Sequence, residues 1–168
     1  MLIQQNRDGF LFFNRSWAEF KVGFDDSRGN YWLGNELLSQ LTVNNSYKLK
    51  FDLQSRSNTS NWYAAEYSTF RVLSEADNYR LQVGRYSGNA GRDAFGAHNG
   101  MMFSTYDREN DLDSSRNCAA RLGGGFWYNA CYQCGVNVGH DNTPWGFVWQ
   151  DLPGGWNLQT FRMWLQCK

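Results

Sequence analysis

The stretch YKLKFDLQS sets Tyr47, Leu49, Phe51 and Leu53 against Lys48, Lys50 and Asp52. That period of two is the signature of a strand with one buried face. NWYAAEYSTFRVL continues the pattern, with SRSNTSN as the intervening turn, so WYAAEYSTFRV reads as the second strand. NYRLQVGRY alternates Tyr79, Leu81 and Val83 and predicts a third strand through YRLQVG, and TFRMWLQ returns a strand to the same sheet near the end. Two short helices precede this meander. In NRSWAEFKVGF, Asn14 or Ser16 can cap, Glu19 falls three after Ser16, and Trp17, Phe20 and Phe24 take near-helical spacing. NYWLGNELLSQLT predicts the second helix, starting near Asn35. Helices followed by a meander predict an α+β fold built on a twisted antiparallel sheet with short flanking helices.

From Ser87 the pattern changes. Gly, Asn, Asp and Ser dominate SGNAGRDAFGAHNG and DRENDLDSSRN, and RLGGGFWYN follows. Embedded aromatics and cysteines argue against disorder, so these are ordered, functional loops. The expectation is one domain over 1–168, with sheet and helices from 1–86 and 157–168 and a loop-rich binding lobe from 87–156. A chain of 168 residues suits one domain with a real core. Its 16 basic and 16 acidic residues balance and no basic run occurs, which argues against nucleic-acid binding. No apolar run approaches the roughly 20 residues of a membrane span, which argues against membrane insertion. Aromatics make up 17% of the chain, with eight Trp, and such residues build cores, pockets and interfaces. MLIQQNRDGFLFF lacks the apolar core of a signal peptide, which implies a removed signal or a longer parent chain. Sequons at Asn14, Asn44 and Asn58 fit a secreted, extracellular glycoprotein.

Two motifs carry candidate chemistry. In NACYQCGVN, Cys131 and Cys134 form a Cys-x-x-Cys that could be a redox pair, half a zinc site, or two disulfide ends. The following CGVNVGHDN is a poor helix for a redox pair. Cys118, Cys167, His98 and His140 stand at no zinc spacing, which favours structural disulfides in an oxidising compartment. In DRENDLDSSRN, Asp107, Glu109, Asp111 and Asp113 gather oxygens that suit Ca2+ or simply form a solvated acidic turn. No Ser-His-Asp or Cys-His set is present, so an enzyme is not expected. Trp127, Trp145, Trp149 and Trp164 read as core, as does Phe95 in GNAGRDAF.

Taken together, MLIQQNRDGFLFFNRSWAEFKVGFDDSRGNYWLGNELLSQLT, FSTYDRENDLDSSRNCA and GGGFWYNACYQCGVN resemble the fibrinogen-related domains in order along the whole chain. The family's N-terminal subdomain, with its own disulfide, has no counterpart here, and any oligomer would form through such missing regions of the parent chain. The resemblance implies a Cys118–Cys131 bridge. It leaves Cys134 and Cys167, the first where relatives usually carry Ser, to form a second one.

The resemblance also implies a calcium site with Glu109 and Asp111 as side-chain ligands and carbonyls near Asp113 and Ser115. Here Glu109 replaces an Asp, and one extra residue lies between Asp111 and Cys118. In the lectin-like members, ficolins and tachylectins, an acetylated sugar binds beside that calcium. A cis peptide there, matched by Ala130–Cys131, aims N–H groups at the acetyl oxygen, and the methyl enters a funnel matched by Leu122, Tyr132, Thr143 and Trp156. The expected function is therefore calcium-dependent recognition of acetylated or anionic glycans, as in innate-immune or cell-surface recognition, with a glycan or glycoprotein ligand. The alternative is a protein-binding or assembly module of the fibrinogen or angiopoietin-like kind, acting on a protein receptor without sugar affinity.

Overall fold

The computed structural model describes residues 1–7, 11–44, 46–138 and 147–168. The strands are β1 (Leu2–Asn6), β2 (Phe24–Asp25), β3 (Tyr31–Trp32), β4 (Tyr47–Ser55), β5 (Trp62–Tyr67), β6 (Phe70–Val72), β7 (Leu81–Val83), β8 (Tyr86–Gly88), β9 (Cys134–Gly135), β10 (Val148–Trp149) and β11 (Leu158–Cys167). The helices are α1 (Trp17–Val22), α2 (Asn35–Thr42) and α3 (Cys118–Leu122). Seven strands form one antiparallel sheet in the order β2-β3-β1-β11-β4-β5-β8, so the last strand lies between the first and the fourth. The fold is α+β. Among the described residues no helix is long and apolar enough to cross a membrane.

Both early helices form within their predicted stretches, α1 with a side-chain cap and α2 without one. α1 ends at Val22, before its C-cap Gly23, so Phe24 lies in β2 and not on the helix. Ser16 accepts the Glu19 N–H while the Glu19 carboxylate accepts the Ser16 N–H, a reciprocal cap that stabilises a helix end by about 1 kcal/mol. Trp17 and Phe20 are the buried face of α1. β4 carries the predicted alternation, with Leu49, Phe51 and Leu53 fully buried.

Two expectations are corrected. WYAAEYSTFRV is two strands, because its inward positions shift phase from Ala65 and Tyr67 to Phe70 and Val72. β6 then leaves the large sheet and pairs with β7, so YRLQVG joins a separate two-stranded sheet. β1 carries no apolar alternation because two of its inward residues are polar. Gln4 and Asn6 are fully buried and donate to the Val136 carbonyl, and Gln4 Nε2 also donates to Asn137 Oδ1 at 3.0 Å.

The core is a continuous aromatic cluster. Phe51 meets Tyr67, Phe95, Trp149 and Phe161 with ring centres 4.9–5.9 Å apart. Trp32 meets Phe20, Phe103 and Trp127. Phe95, Trp127 and Trp149 are thus core, as their sequence context implies. Trp164 instead lies half-buried and donates its indole N–H to Asp52 at 2.8 Å. Trp145 and His140 lie outside the described residues.

Candidate functional site

Regular structure is sparse between β8 and β11, and side chains hold the backbone in its place. His98 is fully buried, its Nδ1 paired with the Trp127 carbonyl at 2.8 Å and its Nε2 accepting the Gln133 N–H at 3.2 Å. Accepting that N–H requires a neutral ring, and burial lowers the His98 pKa to about 4. The Trp127 indole donates to the Tyr79 carbonyl, and the Tyr128 hydroxyl donates to the Gly124 carbonyl. Gly123 ends α3 in the left-handed conformation with φ 72°. Gly124 is fixed by close approach, since a Cβ there would lie 1.7 Å from the Asn137 carbonyl oxygen.

The acidic loop is tied down at both ends. Asp107 accepts the Trp17 N–H at 2.9 Å and the Thr105 hydroxyl at 2.7 Å, which fastens the loop to the start of α1. Asp111 accepts the Asp113 N–H with one oxygen and the Cys118 N–H with the other, both at 3.0 Å. Asp113 accepts the Ser115 hydroxyl and N–H and pairs with Arg116 at 3.2 Å. The Ser115 bonds, then Arg116, hold its carboxyl below the usual carboxylate range. Leu112 N–H donates to the Asn129 carbonyl, joining this loop to the segment before Cys131.

Hard oxygens at exposed Glu109 and half-buried Asp111 suit a calcium ion, each Asp111 oxygen keeping a lone pair beyond its one N–H. The Asp113 side chain does not fit, because Arg116 and Ser115 occupy it. Asp113, Cys118 and Cys131 are the one trio of candidate ligand side chains that converges among the described residues, and its sulfurs are bonded to each other.

Cys118 and Cys131 are disulfide-bonded, and the Ala130–Cys131 peptide is cis. Cys134 and Cys167 are free, so the expected second bridge is not formed. Cys134 pairs with Trp149, whose neighbour Val148 bridges Asn157 at the start of β11. Cys167 ends that ten-residue strand, about 30 Å further on, far beyond the span of a disulfide. Burial, then neighbouring Asp93, pushes the Cys134 thiol well up, which leaves it inert. Cys131 and Cys134 are therefore one disulfide end and one buried thiol, neither a redox pair nor zinc ligands.

Two cavities flank this corner. One of about 190 Å³ is lined by Arg116, Arg121, Leu122, Ala130, Cys131 and Tyr132. It brings together Leu122, Ala130, Cys131 and Tyr132 as the sequence implied, and adds two arginines that the sequence reading passed over. They sit just before and within α3, and their spacing from Cys118 was the available signal. Trp156 lines neither cavity among the described residues. Its carbonyl accepts the Trp149 N–H while its side chain is exposed beyond the Gly154–Gly155 turn. Thr143 lies outside the described residues.

The model of the C-terminal globular domain of fibrinogen beta and gamma chains matches residues 1–168. Human Ficolin-3 is 36% identical over 137 residues, which is 82% of this chain and 45% of that protein. Human Angiopoietin-related protein 2 is 40% identical over 161 residues, 92% of this chain and 32% of that protein. The chain thus spans less than half the length of these two relatives. The fibrinogen-like globe domain of human ANGPTL2 matches with a TM-score of 0.88 at 37% identity, covering 99% of this chain and 79% of that one. The lamprey fibrin D-dimer, complexed with the peptide Gly-His-Arg-Pro-amide, matches with a TM-score of 0.82 at 29% identity, covering 98% and 60%.

Proposed function

The chain belongs to the family of fibrinogen C-terminal globular domains, and on that footing we propose that it is an extracellular, calcium-dependent recognition module for acetylated or anionic glycans. The observation that carries this reading is the cavity beside the Cys118–Cys131 bridge. Leu122 and Tyr132 offer it apolar surface, and Arg121 brings a guanidinium with no partner among the described residues. The Cys131 N–H, at the same corner, donates to no described group, so a carboxylate or acetyl oxygen can take it. Calcium at Glu109 and Asp111, with carbonyls near Asp113 and Ser115, would supply positive charge that braces the acidic loop. That loop reaches the cavity through Asp111 to Cys118 and through Leu112 to Asn129.

A second reading, a protein-binding or assembly module without sugar affinity, has one observation in its favour. Trp156, expected in the funnel, is 47% exposed and outside the cavity, which leaves a thinner apolar wall and a surface aromatic suited to a protein partner. A glycan array probed with the chain in calcium, then in chelator, tests the choice. Binding to acidic or acetylated glycans that chelator abolishes, and that Arg121→Ala weakens, is the expected result. A blank array in calcium would leave the protein-binding reading standing instead.

A further inference from the structure

The cavity of about 190 Å³ falls short of the roughly 300 Å³ at which ligand sites begin, so a saccharide enters it by one substituent and keeps its other rings outside. What faces that substituent comes from three stretches of chain. Arg116 lies in the loop before α3, Arg121 on α3, and Cys131 across the disulfide. Arg116 donates from Nε to Asp113 Oδ2 at 3.2 Å, with its Nη2 at the same distance from that oxygen. Its Nη1 has no described partner, and neither has the Arg121 guanidinium. The Cys131 N–H donates to no described group. The bridge to Cys118, the first residue of α3, holds that N–H in a fixed relation to Arg121 on the same helix. No acidic side chain lines the cavity, and Asp113 offsets the charge of Arg116, so one positive charge is left unmatched.

An acetamide brings one neutral acceptor oxygen, which leaves the Arg121 charge uncompensated. A carboxylate supplies a charge, but its two oxygens lie in one plane and a single guanidinium fork takes both. A sulfate ester supplies one negative charge and three diverging terminal oxygens, one for each of the three donors. A phosphate ester has the same shape but carries about −1.5 to −2 at neutral pH, more than the one unmatched charge. We propose that this cavity is a sulfate pocket, and that its ligand class is a saccharide sulfate ester held by Arg116, Arg121 and the Cys131 N–H. This inference rests on the glycan reading above and adds to it the charged group that the site selects.

The test titrates the full chain in calcium with chondroitin tetrasaccharides, unsulfated or sulfated at the fourth or the sixth oxygen of the N-acetylgalactosamine. The unsulfated form already carries carboxylates and acetyl groups, so the comparison isolates the sulfate. One sulfated form should bind about tenfold more tightly, the size of one added charge-assisted hydrogen bond. Arg121→Ala, at an exposed position, should bring that ratio to one with thermal stability unchanged. Arg116→Ala should also remove the preference. Arg85→Ala, an exposed arginine that lines neither cavity, should leave it intact. With N-acetylgalactosamine alone, the sulfate ester should bind more tightly than the phosphate ester at the same oxygen. Equal affinities for all tetrasaccharides that still depend on Arg121 would remove the sulfate assignment and keep the glycan reading. No binding of any tetrasaccharide removes both. A preference that survives Arg121→Ala, one that falls equally with Arg85→Ala, or a tighter phosphate ester overturns the assignment.

Discussion

β4 and β11 satisfy their backbones through an antiparallel ladder from Ser55 opposite Leu158 to Tyr47 opposite Cys167. Between β8 and β11 the backbone instead leans on side chains. Trp127 serves Tyr79, Tyr128 serves Gly124, Asn137 serves Gly125, Asn110 serves Phe103, and Trp149 serves Arg92. Both regions bury large aromatics completely, Phe51 and Phe161 in the ladder and Phe95, Phe126, Trp127 and Tyr128 in the loops. They differ in what a side chain is for. In the ladder it fills space, while the backbone is held whatever the residue. In the loops it fills space and also holds the neighbouring chain, so its loss counts twice.

The largest test of that difference compares two buried rings. Phe51→Ala should cost about 3–5 kcal/mol, the usual loss for an emptied aromatic site. Trp127→Ala should cost that and about 1–3 kcal/mol more, because the Tyr79 carbonyl is left buried without its donor. Urea midpoints measure both. Equal costs would mean that the loop side chains only pack.

Acid sharpens the comparison next. The His98 pKa falls from 6.5 to about 4 on folding, so between these values the unfolded chain binds a proton that the folded chain does not. Stability therefore falls as pH drops through that window, by about 3 kcal/mol when pH 4 is reached, and is fully present above 6.5. His98→Gln should lack this loss, as seen in denaturation midpoints across pH 4–7. A wild-type curve parallel to the variant's would place the ring in water. The disulfide gives a similar magnitude by another route. Replacing Cys118 and Cys131 with Ala should cost about 3 kcal/mol for a loop of 13 residues. Amide exchange should then speed in the loops while β4 and β11 stay slowest. Uniform acceleration would show that the two regions open as one unit.

The same contrast decides what the sequence makes legible. β4, α1 and α2 announce themselves because period, and in α1 a cap, are local signals, and each forms within its predicted stretch although α1 stops short of Phe24. β1 is hidden because Gln4 and Asn6 point inward, their amide groups donating to a carbonyl some 130 residues away. The break between β5 and β6 is legible after all, as the shift of inward positions from Tyr67 to Phe70. The cavity corner is legible through motif order, which places Leu122, Ala130, Cys131 and Tyr132 together. Its arginines are not, since only the fold shows that Arg121 reaches the cavity instead of solvent alone. Cys134 and Cys167 mislead because leftover cysteines invite pairing, whereas their separation along β11 forbids it.

The smallest effects concern the acidic loop, where the resemblance makes Asp111 a calcium ligand and gives Asp107 no part. The structure gives both work. Asp107 holds the Trp17 N–H and the Thr105 hydroxyl, so Asp107→Ala should cost about 1–2 kcal/mol, since its bonds are charge-assisted yet near solvent. That cost is set by protein groups and should be the same with calcium and with chelator. Asp111→Ala removes the acceptor for Asp113 and Cys118, for a similar loss in chelator. In calcium it should cost more, because the wild type gains the free energy of ion binding and the variant does not. Glu109 makes no described side-chain bond, so Glu109→Ala should be silent in chelator and harmful only in calcium. Thermal denaturation of the three variants in both conditions reads the whole pattern. If all three are indifferent to calcium, the loop is a purely structural turn, and the cavity beside it must bind its ligand without an ion.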